Sequence, residues 1–513
     1  MLCRLIVVLL LVGAVTGCGG LPKLVERTES AAYLSPLETS LGKRLDTEIR
    51  DHPGESGILL LDRGRDAFRF RVALIRAAER AIDLQYFIWN DDRTGNFMAA
   101  RLLEAASRGV RVRLLLDDFN AVGNDEVIPA LNAHPAIEVR VYNPFVQRKG
   151  LARWLGLMMD LQRLNRRMHN KALVADGAAA IIGGRNIGDE YFDLREKRAF
   201  LDRDLLVAGA VVPEIGRGFD AYWNSEWSYP LETLLENPPP TTAAAALVGL
   251  LSDRAQPDIP VPEDPAQALA TIRSAAGDFI RAPAELVIDR VPEVGAPADR
   301  LMEVGLHLAE RIGQARSDIL IESAYLVIGD QGVSLIEAAV QRGVRVRALT
   351  NSLASNDLVT NHAAYVGRRA AMLRTGMELH ELMAHPEDCS KLAAGARVCE
   401  TGGTLGLHTK SVVFDGKTAF IGSFNINKRS AFLNTEMGLL VHSPELARRI
   451  AAAARPKLEP GNSWRVRLSD EGGLLWSGRQ EGRERYYRGE PEAPFWRGFS
   501  ASFLSLFPAT QYF

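Results

Sequence analysis

The chain has almost no excess of charge of either sign. Beyond its first residues it also has no apolar run long enough to cross a membrane as a helix. It carries 61 Lys and Arg residues against 63 Asp and Glu residues, for a formal net charge of −2. Because nucleic-acid binding usually requires a basic excess or patch, no nucleic-acid partner is expected. Hydrophobic residues at 47% and charged residues at 24% indicate a globular protein, and 513 residues exceed one ordinary core.

The N-terminus has the pattern of a secreted lipoprotein. An apolar run from Leu5 to Val15 is too short for a spanning helix of roughly 20 residues and is typical of a signal peptide. It ends in Val-Thr-Gly-Cys18, which resembles a bacterial lipobox, so we expect residues 1–17 to be removed and Cys18 to be lipidated. In the lipoproteins that this segment resembles, an Asp after the Cys marks retention in the inner membrane. Gly19 at that position therefore implies the outer membrane, facing the periplasm. An uncleaved anchor helix is the alternative, and either places the rest of the chain in the cell envelope.

Cysteine is scarce, with four residues in the chain. Cys3 and Cys18 lie in the N-terminal segment, which leaves Cys389 and Cys399. In an oxidising compartment an isolated pair is expected to form a disulfide, with two free buried thiols as the alternative. No histidine spacing completes a zinc site with them, and no metal is expected. We hypothesise that the bridge limits the mobility of the Gly-rich segment before His408.

One polar motif occurs twice. Arg167–Asn186 reads RMHNKALVADGAAAIIGGRN and Gly406–Asn425 reads GLHTKSVVFDGKTAFIGSFN, with His, Lys, Asp, Gly and Asn at the same spacing. Shorter matches precede both copies in the same order: LLLDR and LVIDR, AIDLQYFIW and DILIESAYLV, and RGVRVR in each. Internal repetition of this kind indicates two similar units. We therefore predict one half-domain over residues 56–230 and a second over residues 284–455.

Strands that alternate with helices predict an α/β fold in each half. After each His-Lys pair, an Asp-Gly step separates two apolar runs, which predicts a β-hairpin. Residues two apart on a strand share a face, so His169 points with Lys171 and His408 with Lys410.

The remaining segments are less regular. Residues 18–55 are predicted to be a linker, and residues 231–283 a connector rich in Pro and Ala. One helix is predicted in the connector over residues 264–280, with Asp264 as its N-cap and Pro265 in its first turn. In the predicted tail, residues 456–513, aromatic and apolar residues recur at helical spacing. They indicate either an interfacial membrane helix or a tail packed on the domain: Trp496, Phe499, Phe503, Leu506 and Phe507.

The repeated polar residues suit a phosphate site. A lysine supplies positive charge and donors to phosphate oxygens, and a histidine acts as nucleophile or general acid and base near neutral pH. Asn186 and Asn425 can donate to the same oxygens, while the Gly-Gly and Gly-Ser steps permit close backbone approach. Two histidines in matching settings fit a displacement in two steps.

The two motifs resemble those of the phospholipase D superfamily, over about residues 58–442. The long form of the first motif, together with LNTEMG and the C-terminal GEPEAPFWRGF, is most similar to bacterial cardiolipin synthases. The resemblance implies two α-β-α half-domains packed about a pseudo-twofold axis with one shared active site. It further implies that one histidine attacks a phosphodiester and forms a phosphohistidine, while the other protonates the leaving alcohol. No cofactor is implied.

The resemblance assigns roles residue by residue. His169 is the expected nucleophile and His408 the expected acid and base, although the two roles could be reversed. Lys171, Lys410, Asn186 and Asn425 are expected to hold phosphoryl oxygens. Asp176 and Asp415 complete the catalytic motifs, and their position at hairpin turns suggests that they hold the architecture. Glu436 and Asp202, with Asp204 as the alternative to Asp202, are the candidates to orient the histidines.

The implied activity is phosphatidyl transfer at a membrane, in the manner of a cardiolipin synthase. Its expected partners are membrane phospholipids: phosphatidylglycerol, phosphatidylethanolamine or cardiolipin. Hydrolytic phospholipase D activity is the alternative, since it differs only in whether water or a lipid alcohol resolves the intermediate. A nuclease and a non-catalytic envelope lipoprotein are the other options.

Two further features raise the question of substrate delivery. The apolar block Trp154–Met159, followed by Arg163, Arg166 and Arg167, is either a membrane-facing lip with head-group-binding arginines or ordinary packing with a solvated basic face. Three aromatic residues at strand ends either line the cleft or fill the core: Tyr86, Phe87 and Tyr325.

Overall fold

The computed structural model describes residues 25–46, 52–119, 126–146, 160–244, 257–295 and 302–493, besides Leu21, Pro297 and Arg300. Within these residues, no helix combines the length and the apolar character that crossing a membrane would require. Three sequence predictions lie outside the described residues: the signal peptide with Cys18, the apolar block Trp154–Met159, and the aromatic residues from Trp496 onward.

A mixed sheet of nine strands forms the first half of the molecule, in the order β10-β1-β8-β6-β5-β2-β3-β4-β9. Strands β2, β3 and β4 run parallel, and β5, β6 and β8 are joined to their neighbours antiparallel. The strands are β1 (Ser56–Leu61), β2 (Ala81–Tyr86), β3 (Arg111–Asp117), β4 (Ile137–Tyr142), β5 (Ala172–Ala175), β6 (Ala179–Gly183), β8 (Asp204–Gly209), β9 (Ser228–Pro230) and β10 (Ile280–Ala282).

A sheet of ten strands forms the second half, in the order β11-β18-β17-β16-β12-β13-β14-β19-β20-β21. Its first seven strands match β1-β8-β6-β5-β2-β3-β4 one for one, so the predicted pair of similar α/β halves is confirmed. The strands are β11 (Ala284–Ile288), β12 (Asp318–Ser323), β13 (Arg345–Asn351), β14 (Glu378–Leu382), β16 (Lys410–Phe414), β17 (Thr418–Gly422), β18 (Met437–His442), β19 (Ser463–Leu468), β20 (Leu474–Gln480) and β21 (Arg483–Tyr487).

Helices pack on both faces of the two sheets, and the repeat extends to them; the helices that follow β8 and β18 contribute Ile215 and Ile450 to the apolar cluster between the sheets. In each half one helix follows the first strand, a second joins the two central parallel strands, and a third follows the last strand of the hairpin unit. The helices are α1 (Ser40–Arg44), α2 (Gly64–Ala77), α3 (Arg93–Ser107), α4 (Val127–Asn132), α5 (Leu161–Leu164), α6 (Val212–Trp223), α7 (Pro265–Ala276), α8 (Glu303–Gln314), α9 (Asp330–Gln341), α10 (Val359–Arg374), α11 (Cys389–Leu392), α12 (Val398–Thr401), α13 (Lys428–Phe432) and α14 (Pro444–Ala454).

The two sheets pack against each other through an apolar layer. Val174 and Val207 of the first half, and Val413, Ile421 and Leu439 of the second, belong to one buried cluster. Their neighbours in sequence face the opposite way, into the separate core of each half, as the alternation of a strand requires. A short parallel ladder also joins the halves, formed by β7 (Arg198–Leu201) and β15 (Thr404–Leu407).

The connector and the tail contain more structure than the sequence suggested. In the connector, the helix predicted over residues 264–280 is α7: it begins after Asp264, whose side chain accepts from the amide of Gln267, and it ends at Ala276, before the unpredicted strand β10 (Ile280–Ala282) adds to the edge of the first sheet. Residues 463–487, assigned to a tail, form β19, β20 and β21 and extend the second sheet from β14. Trp464, Val466 and Trp476 bury their side chains there, so this part of the chain belongs to the second half.

Candidate active site

The two motif histidines lie where the halves meet. His169 and Lys171 occupy the extended segment that leads into β5, and His408 lies just before Lys410, the first residue of β16. All four side chains are buried, with the two histidines 7% and 5% exposed. Each histidine therefore precedes its hairpin, and the hairpin turn lies at the far end of the strand.

Each histidine is held by a carboxylate from the opposite half. Nδ1 of His169 lies 2.8 Å from Oε2 of Glu436, and Nδ1 of His408 lies 2.5 Å from Oδ2 of Asp202. Glu436 is fixed by the hydroxyls of Ser423 and Ser430, which donate to its two oxygens at 2.5 and 2.6 Å. The crossed pairing joins two copies of the motif into one site.

Backbone hydrogen bonds also join each histidine to the opposite half. The amide of His169 donates to the carbonyl of Thr435, the residue before Glu436, at 2.9 Å. The amide of His408 donates to the carbonyl of Leu201, the residue before Asp202, at 2.7 Å. Each imidazole is thus fixed at both its ring and its main chain by one short segment of the other half.

The Gly-Gly and Gly-Ser steps make room for the carboxylates. A Cβ at Gly184 would lie 2.2 Å from a carboxylate oxygen of Asp202, so only glycine fits there. The equivalent residue in the second motif is Ser423, whose hydroxyl donates to Glu436. The small residue is needed in both motifs because the backbone of the hairpin passes beside the orienting carboxylate.

The two lysines form a compact cationic centre. Nζ of Lys171 donates to the carbonyl of His169 at 2.5 Å, and Nζ of Lys410 donates likewise to His408. Burial lowers the pKa of Lys171 to about 7, and the charge of Lys410 contributes to this shift. Burial lowers the pKa of Lys410 to about 8. Burial makes the charged form of both ammonium groups costly, and an incoming anion offsets that cost.

The histidines rest in their neutral form. Burial lowers the pKa of His169 to about 4, against the opposing effect of Glu436, and the charge of Lys171 adds to the lowering. Burial and Lys410 also lower the pKa of His408. Burial opposes ionisation of Glu436, but His169 and the other donors still hold its pKa below the usual range. An ionised carboxylate at Nδ1 keeps the ring proton there, so Nε2 carries the free lone pair.

The two motif asparagines are both buried but differ in their contacts. Asn186 accepts from the amide of Ile88 and donates to the hydroxyl of Tyr191, each at 3.2 Å. Oδ1 of Asn425 lacks a hydrogen-bond partner among the described residues and the side chain is 3% exposed. The described residues contain no group of three potential metal-ligating side chains.

The motif aspartates bind backbone amides. Asp176, at a φ of 53°, accepts from the amides of Glu79, Arg80 and Ala81 at the start of β2. Asp415, at a φ of 54°, accepts in the same way from residues 316–318 at the start of β12. Both carboxylates therefore anchor the hairpin turn to the neighbouring strand, at the end of β5 or β16 remote from the histidine.

Other candidates from the sequence are engaged elsewhere. Asp204 pairs with Arg71 and Arg185 and does not bind a motif histidine. Among the basic residues before His169, Arg163 pairs with Asp160. Arg167 is buried and pairs with Asp117 at 3.1 Å, which makes it part of the packing.

Several residues that contact the histidine rings lie outside the two repeated motifs, so the spacing of the motifs does not identify them. Phe87 meets the ring of His169 edge-on at 5.0 Å between centroids. Tyr191 and Phe200 lie 5.1 and 5.3 Å from the ring of His408, between ring centroids. Of these residues, Tyr191 follows the first motif closely in sequence, and that position could have marked it as a neighbour of the site.

Among the three strand-end aromatic residues, Tyr86 is buried in the core and Phe87 borders the site. Tyr325, the third of them, donates to the carboxylate of Asp357.

Cys389 and Cys399 are joined by a disulfide, with an S–S distance of 2.05 Å. The bridge ties α11 to α12, and these precede β15, the strand that leads into His408. Both half-cystines pack against a small apolar cluster that includes Leu405 and Leu407.

Comparison with known proteins places these features in context. A family model described as "Cardiolipin synthase, PLD-like domain" matches residues 72–223 and 308–455. Cardiolipin synthase C of Escherichia coli strain K12 is 37% identical over 468 residues, which cover 89% of this chain and 96% of the relative. An uncharacterized protein of Helicobacter pylori strain J99 is 29% identical over 99% of this chain and 100% of its own length.

A solved structure shares the fold. The crystal structure of phosphatidylserine synthase from Haemophilus influenzae Rd KW20 matches 92% of this chain and 98% of its own chain, with a TM-score of 0.58 and 14% sequence identity. The likeness therefore covers both halves of the molecule.

Proposed function

This chain belongs to the phospholipase D-like family of cardiolipin synthases, and we propose that it is a phosphatidyltransferase acting on phospholipid phosphodiesters. The observation that carries the proposal is the crossed pair of contacts, His169 with Glu436 and His408 with Asp202. It supplies two oriented imidazoles at one buried cationic site, which is what a two-step transfer at phosphorus requires.

In the first step, Nε2 of His169 attacks the phosphorus of the donor phospholipid. The new N–P bond forms as the P–O bond to the head-group alcohol breaks, and the imidazolium of His408 gives its proton to the leaving oxygen. His408 binds that proton when the anionic substrate enters, because the added negative charge offsets the cost of a buried cation. The product is a phosphatidyl group on His169 and a free alcohol.

In the second step, the acceptor alcohol enters. His408, now neutral, takes the proton from its hydroxyl, and the oxygen attacks phosphorus as the N–P bond breaks. The products are a new phosphodiester and the starting enzyme. Glu436 stabilises positive charge on His169 while the intermediate lasts, and Asp202 does so for His408.

Lys171 and Lys410 stabilise the phosphoryl oxygens, on which negative charge increases in the pentacoordinate transition state. Asn425 supports this role with a buried amide beside the second motif. The interaction strengthens as charge develops, so the lysines contribute to rate as well as to binding.

The acceptor distinguishes a transferase from a hydrolase. The strong burial of both histidines supports a lipid alcohol over bulk water as the acceptor. We propose cardiolipin or a related lipid as the product, with phosphatidylglycerol or phosphatidylethanolamine as substrates. We further propose that a lipid on Cys18 anchors the protein in the cell envelope, facing the periplasm at the outer membrane.

The direct test incubates the purified protein with phosphatidylglycerol and phosphatidylethanolamine and identifies products by mass spectrometry. Cardiolipin that disappears in His169→Ala supports the proposal. Phosphatidic acid alone would favour the hydrolase, and no turnover of either lipid would refute the enzymatic function. Globomycin treatment of cells tests the anchor, since a lipoprotein precursor should then accumulate.

A further inference from the structure

The repeat between the halves breaks down in the outer core beside the active site. In the first half, the rings of three buried residues pack together above the sheet: Phe68 of α2, Phe97 of α3 and Phe192 after the motif. Their centroids lie 5.7 Å apart for Phe68 and Phe97, and 5.3 Å apart for Phe68 and Phe192. We call these three residues the aromatic plug.

The second half replaces every member of the plug with a residue that has no ring. Gly305 precedes β12 by the same spacing as Phe68 precedes β2, and Ala431 follows Asn425 as Phe192 follows Asn186. Gln331 precedes the second RGVRVR segment as Phe97 precedes the first. All three line a cavity of about 830 Å³ between α8, α9 and α13. The cavity exists where the plug is missing.

The cavity, which we call the groove, is apolar and open to the surface. Its floor is Val412 and Phe414 of β16, and half-exposed side chains such as Ile312 and Leu335 form its mouth. Its volume falls in the range of small-ligand sites, roughly 300–1,000 Å³. A patch of this kind, left unfilled by the protein, marks a binding surface.

The groove shares a wall with the candidate active site. Phe424 and Ile426 line the groove, and Asn425, the motif residue between them, is buried. The amide of Ile426 is tied to the hydroxyl of Ser323, at the end of β12, at 3.1 Å. Lys428, an exposed cation, stands at the groove's rim together with Asp330, whose carboxylate is paired with Arg368. Phe424 and Ile426, which line the groove, are the sequence neighbours of Asn425 in the candidate phosphate site. An apolar channel with a cation at its mouth, so close to a phosphate site, matches the chemistry of a phospholipid.

We propose that the groove binds one acyl chain of a phospholipid whose head-group region lies at the protein surface beside Lys428. The assignment rests on the proposed function, because it takes the ligand to be the substrate lipid. On binding, the acyl chain leaves the bilayer and enters the apolar groove. The glycerol phosphate of the same lipid then lies next to the segment that carries Asn425. Within the part of the chain that the structure describes, such a site lies in the second half, because the aromatic plug fills its counterpart in the first.

The proposal is tested by restoring the missing rings. Ala431→Phe and Gly305→Phe each place a phenyl group where the first half has one, and Leu306→Phe is the matched control. Leu306 adjoins Gly305 on α8 but is 52% exposed, so its ring adds bulk outside the groove. Turnover is compared for dioleoyl and dihexanoyl phosphatidylglycerol in mixed micelles, with thermal unfolding as the check on folding.

We expect both groove variants to lose about ten-fold or more in kcat/KM for the dioleoyl lipid. The dihexanoyl lipid should be turned over within about two-fold of the wild-type rate, because its chains gain little from the groove. The control should match the wild type on both. Equal losses on both substrates in folded variants, or no loss on the dioleoyl lipid, would overturn the proposal.

A second measurement separates this proposal from the catalytic one. Full-length His169→Ala protein is irradiated with phosphatidylglycerol that carries a diazirine at the end of one long chain, and labelled peptides are sequenced. We expect labels in residues 303–314 and 424–433, lost on adding Ala431→Phe. Labelling that appears only after the chain is cut at residue 493 would instead assign the groove to the C-terminal segment. Wild-type turnover with no labelling of the His169→Ala protein would refute the groove alone, and labelling of that protein with no wild-type turnover would refute the proposed function alone.

Discussion

Nδ1 of His169, in the first half of the molecule, lies 2.8 Å from the carboxylate of Glu436, in the second half. The symmetry-related contact joins His408 of the second half to Asp202 of the first. Neither half therefore contains a complete histidine–carboxylate pair. The repeat is required for function in this account, since each copy supplies the imidazole of one pair and the carboxylate of the other.

Removing the charge of either carboxylate should slow the chemistry without unfolding the protein. Glu436→Gln and Asp202→Asn keep the shape but no longer favour the Nδ1–H tautomer, so we expect kcat to fall by about 10²–10⁴. Because His408 acts in both steps, Asp202→Asn should slow formation and resolution of the intermediate alike, whereas Glu436→Gln should chiefly slow the attack of His169. Rapid quench of labelled reactions into SDS at mildly alkaline pH, which preserves the P–N bond, should therefore show less phosphatidyl-histidine on His169 in Glu436→Gln than in Asp202→Asn.

Ser430→Ala is a graded control for that experiment, because it removes one of two hydroxyl donors to Glu436 and leaves the carboxylate in place. A loss smaller than that of Glu436→Gln is expected. Wild-type rates in Glu436→Gln would show that orientation by the carboxylate does not matter.

The pH dependence of kcat/KM should be a plateau with two limits. His169 must be neutral to attack, so activity should rise as the pH exceeds its pKa of about 4. Activity should fall at higher pH, because His408 must carry a proton in the first step and because Lys171 and Lys410, with pKa values of about 7 and about 8, must be charged to bind the phosphodiester. Initial rates measured from acid to alkaline pH on a short-chain lipid test this, and an optimum above both lysine pKa values would contradict it.

The motif aspartates should affect stability more than chemistry. Asp176→Ala leaves three backbone amides at the start of β2 without their acceptor in a buried place, and we expect a loss of about 2–4 kcal/mol in the free energy of unfolding. Asp415 is half-exposed, so Asp415→Ala should cost less because water replaces the carboxylate. Denaturant unfolding gives both values. Loss of turnover in fully folded Asp176→Ala would instead indicate a catalytic role.

Removing the disulfide should lower stability modestly. Cys389 and Cys399 are 10 residues apart in sequence, and closing so short a loop contributes about 2–3 kcal/mol. We expect the double substitution to Ala to show that loss in denaturant unfolding. If the bridge also restrains the segment before His408, kcat should fall in the folded variant. Unchanged kcat and stability would remove any role for it.

Much of the architecture is readable in the sequence because the repeat doubles every signal. Hairpins at Asp-Gly steps, the parallel strands around each RGVRVR segment, and the helix capped by Asp264 all lie where their local patterns predict them. The strands after Ser463 also carry an alternating pattern, in which Trp464 and Val466 are buried and Arg465 and Arg467 are exposed. That signal is weaker, because no second copy of it exists.

The partners within the site could not be predicted in the same way. In the sequence, Asp202 follows His169 and Glu436 follows His408 at similar spacing. The sequence around each carboxylate does not indicate which histidine it contacts in the folded protein. The choice follows from tertiary contacts, namely the β7–β15 ladder and the bonds of Thr435 with the backbone on either side of Met168. The groove has the same origin, since a glycine at 305 is informative only once its counterpart Phe68 is known to fill the first half.

The central claim is that two motif copies make one active site, and the most direct test is turnover by single histidine variants. His169→Ala and His408→Ala proteins, each shown to be folded, are assayed with phosphatidylglycerol beside the wild type. The account predicts that either substitution alone abolishes cardiolipin formation, by about 10³-fold or more. A variant that retained half of the wild-type rate would contradict it, because two independent sites would then be present.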